Sequence, residues 1–309
     1  MSVARPGPRR GAGARLRPTL SLTRPDAMTN ETSAPAIRPM TGADLEAVHG
    51  LSVEVRWPHR ADDWRLMLEI GHGLVACDEA GEVMGSAMWW PFGDGLATIG
   101  MVIVSPQRQA KGTGRRLMRE LFAAAGGRTL RLTATQAGRR LYESEGFRVT
   151  GGLVQYHGTA DAAAAVEDAR VRPATEADWP GIVALDREAS GGDRGRMLDA
   201  LRRVGDIAVL EEGGRIAGFA VCRAFGRGHL VGPIVAADGA AAVALASPHV
   251  RAHAGTFLRL DTTERDGPLA AFAQACGLAN VDEPVTMTRG PAPETGPARI
   301  YAVTSQALG

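Results

Sequence analysis

One segment of this chain combines an apolar run, a loop with two glycines and the start of an amphipathic pattern. Met101–Val104 is apolar, Gly112 and Gly114 follow, and apolar residues then recur at positions 117, 118, 121, 122 and 125. This order predicts a strand that leads through a glycine turn into the N-terminus of a helix. Backbone N–H groups and the positive end of the helix dipole face outward at such a point, which suits a phosphate group.

Basic residues surround this turn and favour an anion site. They are Arg108, Lys111, Arg115 and Arg116, and Lys111 is the one lysine of the 309-residue chain. The spacing matches neither the P-loop pattern GxxxxGK[ST] nor the dinucleotide pattern GxGxxG. An ordinary strand–turn–helix connection with exposed basic residues is the alternative interpretation of the same pattern.

The elements that position this turn occur twice, because the chain contains an internal repeat. Three pairs of segments match in the same order: Ile37–Asp44 with Val171–Asp178, Val83–Ala87 with Ile216–Ala220, and Leu130–Leu132 with Leu258–Leu260. Their offsets shrink slowly along the chain. This indicates a duplicated domain with small deletions in the second copy.

Each copy has the same predicted order of elements. A short strand (36–40; 169–172) leads through a capping Thr into a helix (42–53; 176–188), and a second helix follows (61–70; 194–203). Strands are then predicted at 73–78, 82–91 and 96–104, with counterparts at 206–211, 215–224 and 229–235. A helix (112–125; 239–253), a strand (129–134; 256–261), a helix (136–145; 265–276) and a last strand complete each copy. This order predicts an α+β fold, with an antiparallel meander followed by a βαβα unit.

The composition excludes several classes of protein. Hydrophobic residues make up 45% of the chain and charged residues 22%, as in ordinary globular proteins, and the length favours two domains. The formal net charge of +1 gives no reason to expect a nucleic-acid partner, and no apolar run approaches a membrane span of about 20 residues. Cys77, Cys222 and Cys276 form no CxxC pair and no metal-ligand spacing, so reduced thiols, a cytoplasmic protein and no metal are expected.

Two motifs resemble those of the GNAT superfamily of N-acetyltransferases. Gln109–Gly114 is similar to its Q/R-x-x-G-x-G/A motif, and Leu141–Phe147 resembles its second signature. The resemblance covers residues 36–157 closely, and the repeat extends a weaker resemblance over 169–290. It implies two tandem GNAT folds, each a mixed central sheet flanked by helices, as in tandem two-domain bacterial GNAT proteins.

The resemblance implies acetyl-CoA as the co-substrate. The strand end is then expected to pair with the pantetheine arm, and the glycine turn is expected to bind the pyrophosphate. The residues implied are Ile103, Val104, Gln109, Ala110, Lys111, Gly112, Thr113, Gly114 and Arg115. Tyr142 is implied as the catalytic acid that protonates the departing thiolate, and a packed helix aromatic is the alternative. Thr133 stands where many relatives carry Asn, which leaves one side-chain contact with the cofactor open.

The acceptor pocket of this family is lined by the segment between the first two helices. That segment and the neighbouring strand offer Trp57, His59, Asp63 and Trp90 as candidate substrate residues. The tryptophans could form an apolar or cationic acceptor site, although core packing explains at least two of Trp57, Trp64, Trp89 and Trp90 more simply. His59, Asp62 and Asp63 are each more simply explained as loop or capping residues, so the general base stays open.

The second copy departs from the family pattern where chemistry is needed. Its third strand is followed by Ala236–Ala242, which contains no Q/R-x-x-G-x-G motif and no basic residue. Asp238 adds a negative charge near the expected phosphate position, which opposes binding of a pyrophosphate. At the repeat offset, Phe272 stands where Tyr142 stands in the first copy. The expected organisation is a disordered Arg-rich tail (1–35), a catalytic domain (36–158), a linker (159–168) and a degenerate GNAT-like domain (169–309).

The resemblance therefore implies transfer of an acetyl group from acetyl-CoA to a primary amine of a small molecule by direct attack. The alternatives are a mycothiol-synthase-like or other acyl-CoA-dependent acyltransferase, and a sensor that binds acyl-CoA without turnover. The intact glycine turn together with Tyr142 favours an enzyme, because a sensor does not need the acid.

Overall fold

The chain folds into helices and strands in the order that the repeat predicts. The computed structural model describes residues 35–108 and 112–309, so Gln109, Ala110, Lys111 and residues 1–34 of the predicted tail lie outside the described part. The first copy forms β1 (Ala36–Pro39), α1 (Leu45–Glu54), α2 (Ala61–Ile70), β2 (His72–Cys77), β3 (Val83–Phe92), β4 (Leu96–Val104), α3 (Thr113–Ala125), β5 (Thr129–Ala134), α4 (Arg139–Ser144), β6 (Arg148–Gly152) and β7 (Val154–Thr159).

The second copy repeats these elements and adds one strand at its end. It forms β8 (Val171–Pro173), α5 (Trp179–Ser190), α6 (Gly195–Val204), β9 (Gly205–Glu212), β10 (Arg215–Phe225), β11 (Gly228–Ala236), α7 (Gly239–Ala252), β12 (Phe257–Thr262), α8 (Pro268–Ala275), β13 (Ala279–Asp282), β14 (Val285–Arg289) and β15 (Arg299–Ala302). Short 3₁₀ turns at Gly42–Asp44 and Glu176–Asp178 precede α1 and α5.

Both copies begin with the same ion-paired turn, which explains the first matched segment of the repeat. Arg38 donates to the two carboxylate oxygens of Asp44 at 2.7 and 2.9 Å, and the backbone N–H of Thr41 donates to Asp44 at 2.8 Å. The Arg38 guanidinium holds the pKa of Asp44 at about 2. Arg172 and Asp178 repeat the pair in the second copy at 2.7 Å.

Among the described residues, seven strands form the first sheet in the order β1-β2-β3-β4-β5-β14-β6. β4 and β5 are parallel, and the other neighbouring strands are antiparallel. α3 packs on this sheet with the apolar face that its sequence pattern predicts. The buried residues of that face are Leu117, Met118, Leu121 and Ala125.

Eight strands form the second sheet in the same part of the chain, in the order β13-β7-β12-β15-β11-β10-β9-β8. β11 and β12 are parallel where they meet, from His229↔Leu258 to Val231↔Leu260. This parallel pair corresponds to β4 and β5 of the first sheet.

The two copies exchange their seventh strands, β7 and β14. β7 of the first copy lies between β13 and β12 of the second, in register from Val154↔Thr262 to Thr159↔Phe257. β14 of the second copy lies between β5 and β6 of the first, with Val285 opposite Ala134. The bounds expected from the sequence, 36–158 and 169–309, therefore do not separate the two sheets, because each sheet contains a strand of the other copy.

A shared apolar core joins the copies. It contains Trp64 and Trp90 of the first copy together with Ile182 and Phe219 of the second, and all four side chains are fully buried. Burial of apolar surface is the main favourable contribution to folding, so this core and the exchanged strands hold the copies in one unit.

The described side chains can be compared with the expectations about metals, thiols and membrane spans. There, no group of three or more His, Cys, Asp or Glu residues is arranged to hold a metal ion. Cys77, Cys222 and Cys276 are buried and unpaired. None of the helices there has the length and apolar composition that a membrane span needs.

Candidate active site

A cleft opens in the first sheet where β4 and β5 diverge. The two strands pair from Leu96↔Thr129 to Ile99↔Leu132, and no later pair of described residues joins them. β4 nevertheless continues to Val104 and β5 continues to Ala134. The open ends point toward the N-terminus of α3, as the strand–turn–helix pattern predicts.

A β-bulge distorts β4 at the mouth of this cleft. The register with β3 shifts between Ser86↔Ile103 and Met88↔Gly100, so that one residue of β3 faces two of β4. Met101 lies in the bulge with φ at 53°, and its carbonyl accepts a hydrogen bond from the buried Ser86 hydroxyl at 2.8 Å. A non-glycine residue in this region is strained, and such strain is concentrated at functional sites. The sequence pattern did not predict the bulge.

The turn before α3 has the features of an anion site. Gly112 adopts φ of 75°, a left-handed conformation that favours glycine. Eight buried side-chain polar atoms have no hydrogen-bond partner among the described residues, and two of them, Thr113 Oγ1 and Arg116 Nη1, lie in the first turn of α3. Buried polar atoms normally have a partner, so these two indicate a ligand group at this end of the helix. Gln109, Ala110 and Lys111 were also predicted here and lie outside the described residues.

The other predicted basic residues of the turn already have acidic partners. Arg108 forms an ion pair with Asp78 at 3.0 Å, and Arg115 forms one with Glu145 at 3.4 Å. Both arginines are about half exposed, so these ion pairs contribute little to stability and can open for a ligand.

Tyr142 lies on α4 beside the cleft. Its ring packs against Phe147 and lies next to Gly138, where an added Cβ would be 3.0 Å from Tyr142 Cε2 and 3.4 Å from Thr135 Oγ1. The side chain is buried, and burial raises the pKa of the phenol to about 12. Its hydroxyl donates to no other described residue, and the raised pKa keeps the phenol protonated at neutral pH.

A cavity of about 280 Å³ lies at the open end of the cleft and is lined by both copies. We call it the shared cavity. The residues that line it are Arg56, Trp57, Pro58, His59, Gly100, Met101, Thr133, Thr135, Gln155, His157, Phe225, Gly226, Arg227, Phe257, Arg259, Asp282, Ser305, Gln306 and Ala307. The bulge and the end of β5 form one wall, and the second copy closes the other side.

Two of the four candidate substrate residues line the shared cavity, and two do not. Trp57 and His59 lie in its wall. Trp90 is instead a core residue, fully buried, whose Nε1 donates to the carbonyl of Met67 at 2.9 Å. Asp63 is also buried and binds the β10–β11 turn through the N–H of Gly226 at 3.0 Å. The substrate role predicted for Trp90 and Asp63 is therefore replaced by a structural one.

His59 presents an unprotonated imidazole to the cavity at neutral pH. Burial lowers the pKa of His59 to about 4; nearby Asp63 opposes the shift, while Arg259 and Arg223 favour it. Its Nδ1 atom is buried and has no hydrogen-bond partner in the described residues. This atom can therefore form a hydrogen bond with a molecule in the cavity.

Sequence reasoning missed the residues that the second copy and the exchanged strand contribute. Phe225, Arg227, Arg259 and Asp282 come from the second copy, and His157 comes from β7. Nothing in the local pattern of these segments indicates a site, because their position depends on the strand exchange. The repeat was the one available signal, since it predicted a second domain beside the first.

The equivalent cleft of the second copy is filled by the chain itself. β15 lies between β11 and β12, where Ala302 is opposite both Ile234 and Thr262. At Gly232 an added Cβ would be 2.1 Å from the carbonyl oxygen of Val303. The start of α7 is closed as well, because the Asp238 carboxylate accepts from the N–H of Ala241 at 2.8 Å. The negative charge predicted near the phosphate position is thus a helix cap.

The counterpart of Tyr142 differs from the one that the repeat offset predicts. The N–H of Phe147 donates to the Tyr142 carbonyl at the end of α4, and the N–H of Leu278 donates to the Ala273 carbonyl at the end of α8. These equivalent bonds pair Tyr142 with Ala273, one residue beyond the predicted Phe272. Ala273 and Phe272 both lack an acidic proton, so the second copy has no counterpart of the Tyr142 hydroxyl.

Comparisons with known proteins agree with this geometry. Two models described as an acetyltransferase (GNAT) domain match the chain, one over residues 69–149 and one over residues 182–302. The chain is a tandem member of the GNAT superfamily. The uncharacterized N-acetyltransferase YitH of Bacillus subtilis is 26% identical over 259 residues, which cover 82% of this chain and 91% of YitH.

Solved structures share the tandem GNAT fold. A structure assigned as an acetyltransferase from Pyrococcus horikoshii has a TM-score of 0.74 at 22% identity, and the match covers 89% of this chain and 96% of that one. A tandem GNAT protein from the clavulanic acid biosynthesis pathway has a TM-score of 0.59 at 19% identity, with 83% and 99% covered. At these identities the likeness concerns the fold alone.

Proposed function

We propose that this GNAT protein transfers the acetyl group of acetyl-CoA to a primary amine of a small molecule, and that its first copy performs the reaction. One contrast carries the proposal. Among the described residues, nothing fills the cleft between the ends of β4 and β5, and near it lie the buried Tyr142 phenol and a helix N-terminus whose Thr113 Oγ1 and Arg116 Nη1 have no described partner. The cleft between β11 and β12 is filled by β15 and its helix is capped by Asp238.

The donor binds along the first cleft. The start of α3, with Thr113, Gly114 and Arg116, whose Nη1 atom has no partner among the described residues, holds the pyrophosphate of acetyl-CoA together with the predicted residues 109–111. The C-terminal end of β4, at Ile103 and Val104, binds the pantetheine arm. The thioester then lies beside the bulge at Met101, at the boundary between the cleft and the shared cavity.

Residues of the first copy assist the transfer itself. The nitrogen of a neutral amine attacks the thioester carbon, so a C–N bond forms and the C–S bond breaks. The departing sulfur takes the proton of Tyr142, and the proton that the nitrogen releases returns to the phenolate through water. Burial keeps Tyr142 protonated, so the phenol has a proton to give, but the raised pKa also makes it a weaker acid. The same burial disfavours a free thiolate, and this favours transfer of the proton to the departing sulfur. His59 accepts a hydrogen bond from the amine or from that water.

The test is a panel of amines incubated with acetyl-CoA and the full chain, with released thiol as the readout. Tyr142→Phe should lower kcat about 100-fold or more, as is typical for loss of a general acid, while the Kd for acetyl-CoA stays within about twofold. Tyr301→Phe removes the same hydroxyl from β15, away from the first cleft, and should leave kcat unchanged.

Two outcomes would contradict the proposal. Acetyl-CoA binding without thiol release from any amine would support an acyl-CoA sensor. An unchanged kcat in Tyr142→Phe would remove Tyr142 from the mechanism and leave the phenol as a packed aromatic.

A further inference from the structure

The shared cavity carries an excess of positive charge. Arg56 and Arg227 line it and are exposed, and neither guanidinium pairs with a side chain in the described part of the chain. Arg259 also lines the cavity, but its guanidinium is paired with Asp261 at 2.6 and 2.9 Å. Asp282 is the one acidic residue among the lining residues described. The cavity therefore attracts a ligand with an anionic group and repels a cationic ligand.

The backbone at Arg56 supports a role for its side chain. The N–H of Trp57 donates to the Ser52 carbonyl at 2.8 Å, and the N–H of Arg56 donates to the Val53 carbonyl at 2.9 Å. These two bonds form a Schellman motif at the end of α1, and Arg56 occupies its left-handed position with φ of 60°. Glycine is the residue that normally occupies this position.

In the second copy, the left-handed position at the end of the corresponding helix is occupied by glycine. α5, the counterpart of α1, ends at Gly191 with φ of 70°. The first copy instead keeps an arginine in a conformation that disfavours any residue with a Cβ. A side chain retained at such a cost and directed to a cavity indicates a function for that side chain.

Two histidines in the cavity wall respond to the same positive charge. The pKa of His157 is lowered by burial and then by the charges of Arg259 and Arg227. Burial also lowers the pKa of His59, and Arg259 adds to that effect. Both imidazoles are thus held neutral and leave the positive charge of the cavity to the arginines.

We propose that the acceptor is a primary amine that also carries an anionic group, a carboxylate or a phosphonate, which Arg56 and Arg227 bind. This inference rests on the proposed acetyl transfer and narrows its acceptor. The two arginines determine specificity and do not touch the reacting atoms. Arg56 belongs to the first copy and Arg227 to the second, so the second copy contributes to acceptor recognition although its own cleft is filled.

The experiment compares acceptors that differ only in charge. β-Alanine, γ-aminobutyrate and aminoethylphosphonate are measured against the corresponding amino alcohols and diamines, with acetyl-CoA and the full chain. We expect kcat/KM to be about 10- to 100-fold higher for the anionic amines, which is the value of a charge-assisted contact. Equal use of amino alcohols or diamines would overturn the inference.

Variants of the two arginines separate recognition from stability. Arg56→Gly and Arg227→Ala should each lower kcat/KM for the anionic amine about 10-fold or more and leave the amino alcohol within about twofold. Arg56→Gly should also keep or raise the Tm, because glycine suits the left-handed position. Arg215→Ala removes the same charge at the opposite end of β10 and should change neither acceptor. A loss of acetyl-CoA affinity in Arg56→Gly or Arg227→Ala would assign the arginines to the donor and overturn the inference.

A binding measurement keeps this inference distinct from the proposed function. N-acetyl-γ-aminobutyrate is titrated calorimetrically into the protein with CoA present. If the wild type binds this product and Arg56→Gly binds it about 10-fold more weakly, the anion site is supported even if no amine is turned over. If the wild type does not bind the product, the anion site is contradicted. Failure of the proposed function has a separate sign, which is that no amine of the panel releases thiol from acetyl-CoA.

Discussion

Asp63→Asn tests the contact that joins the first copy to the wall of the shared cavity. The Asp63 carboxylate accepts from the N–H of Arg60 at 2.8 Å, from the N–H of Gly226 at 3.0 Å and from the Arg60 guanidinium at 2.9 Å. Arg223 lies 3.7 Å away, and both Arg223 and Asp63 are almost fully buried. Asp63 thus holds the start of α2, the β10–β11 turn and a buried cation together.

The expected cost follows from these contacts. Asn can keep one oxygen for the two backbone N–H groups, but its NH₂ group then faces the Arg60 guanidinium, so that bond is lost. Arg223 also loses its nearest negative charge; two unit charges 3.7 Å apart attract by about 4 kcal/mol at an effective dielectric constant near 20. Breaking a buried ion pair by changing one partner costs about 3–5 kcal/mol. We expect a decrease of this size in the free energy of unfolding.

Urea unfolding followed by tryptophan fluorescence measures the effect, and the neighbouring Asp62→Asn is the control. Asp62 is exposed and pairs with the exposed Arg65, so its replacement should cost less than about 1 kcal/mol. Equal losses in the two variants, or a loss below about 1 kcal/mol in Asp63→Asn, would refute the structural role assigned to Asp63.

The difference in the free energy of unfolding between the wild type and Asp63→Asn should change with pH in a definite direction. Burial alone would raise the pKa of Asp63, but hydrogen bonds from Arg60 and Gly226 outweigh it, and the pKa lies below its ordinary value of 3.8. A carboxyl group with a lowered pKa stabilises the folded state above its unfolded-state pKa and loses this effect as the pH falls through the folded-state value. The advantage of the wild type over Asp63→Asn should therefore be constant near neutral pH and shrink below about pH 4.

Two further predictions concern the second copy and the proposed acid. Asp238→Ala should lower the free energy of unfolding by about 0.5–2 kcal/mol through loss of the α7 cap, without a change in the rate of thiol release; a changed rate would show that the second copy takes part in donor binding. Because burial raises the pKa of Tyr142 to about 12, the acid stays protonated in alkaline solution, and kcat should show no falling limb up to about pH 10. A limb near pH 8 that disappears in Tyr142→Phe would contradict this value.

Most individual elements could be predicted from the sequence, because each depends on local pattern. The apolar spacing of Leu117, Met118 and Leu121 predicts the face of α3 that is buried. Matched Arg and Asp residues mark the start of both copies, because the ion pair and the turn form within a few residues of one another. The glycine turn before α3 was predicted for the same reason.

The strand exchange and the shared cavity depend on distant contacts that the local pattern does not contain. Val154 and Tyr156 are buried on one side of β7, and this alternation would fit the gap beside β5 as well as the gap beside β12. β15 has only four residues, and its place between β11 and β12 depends on where those strands diverge. Arg227 and Arg259 reach the cavity only because of this arrangement.

The number of acetyl-CoA molecules bound per chain tests the central claim most directly. Calorimetric titration of the full chain should give one site, because β15 fills the second cleft. Gly114→Glu should abolish that site, since it adds a carboxylate at the start of α3, where an ordinary Cβ meets no close contact. Two molecules per chain, or one molecule that still binds to Gly114→Glu, would place acetyl-CoA in the second copy and contradict the assignment of catalysis to the first.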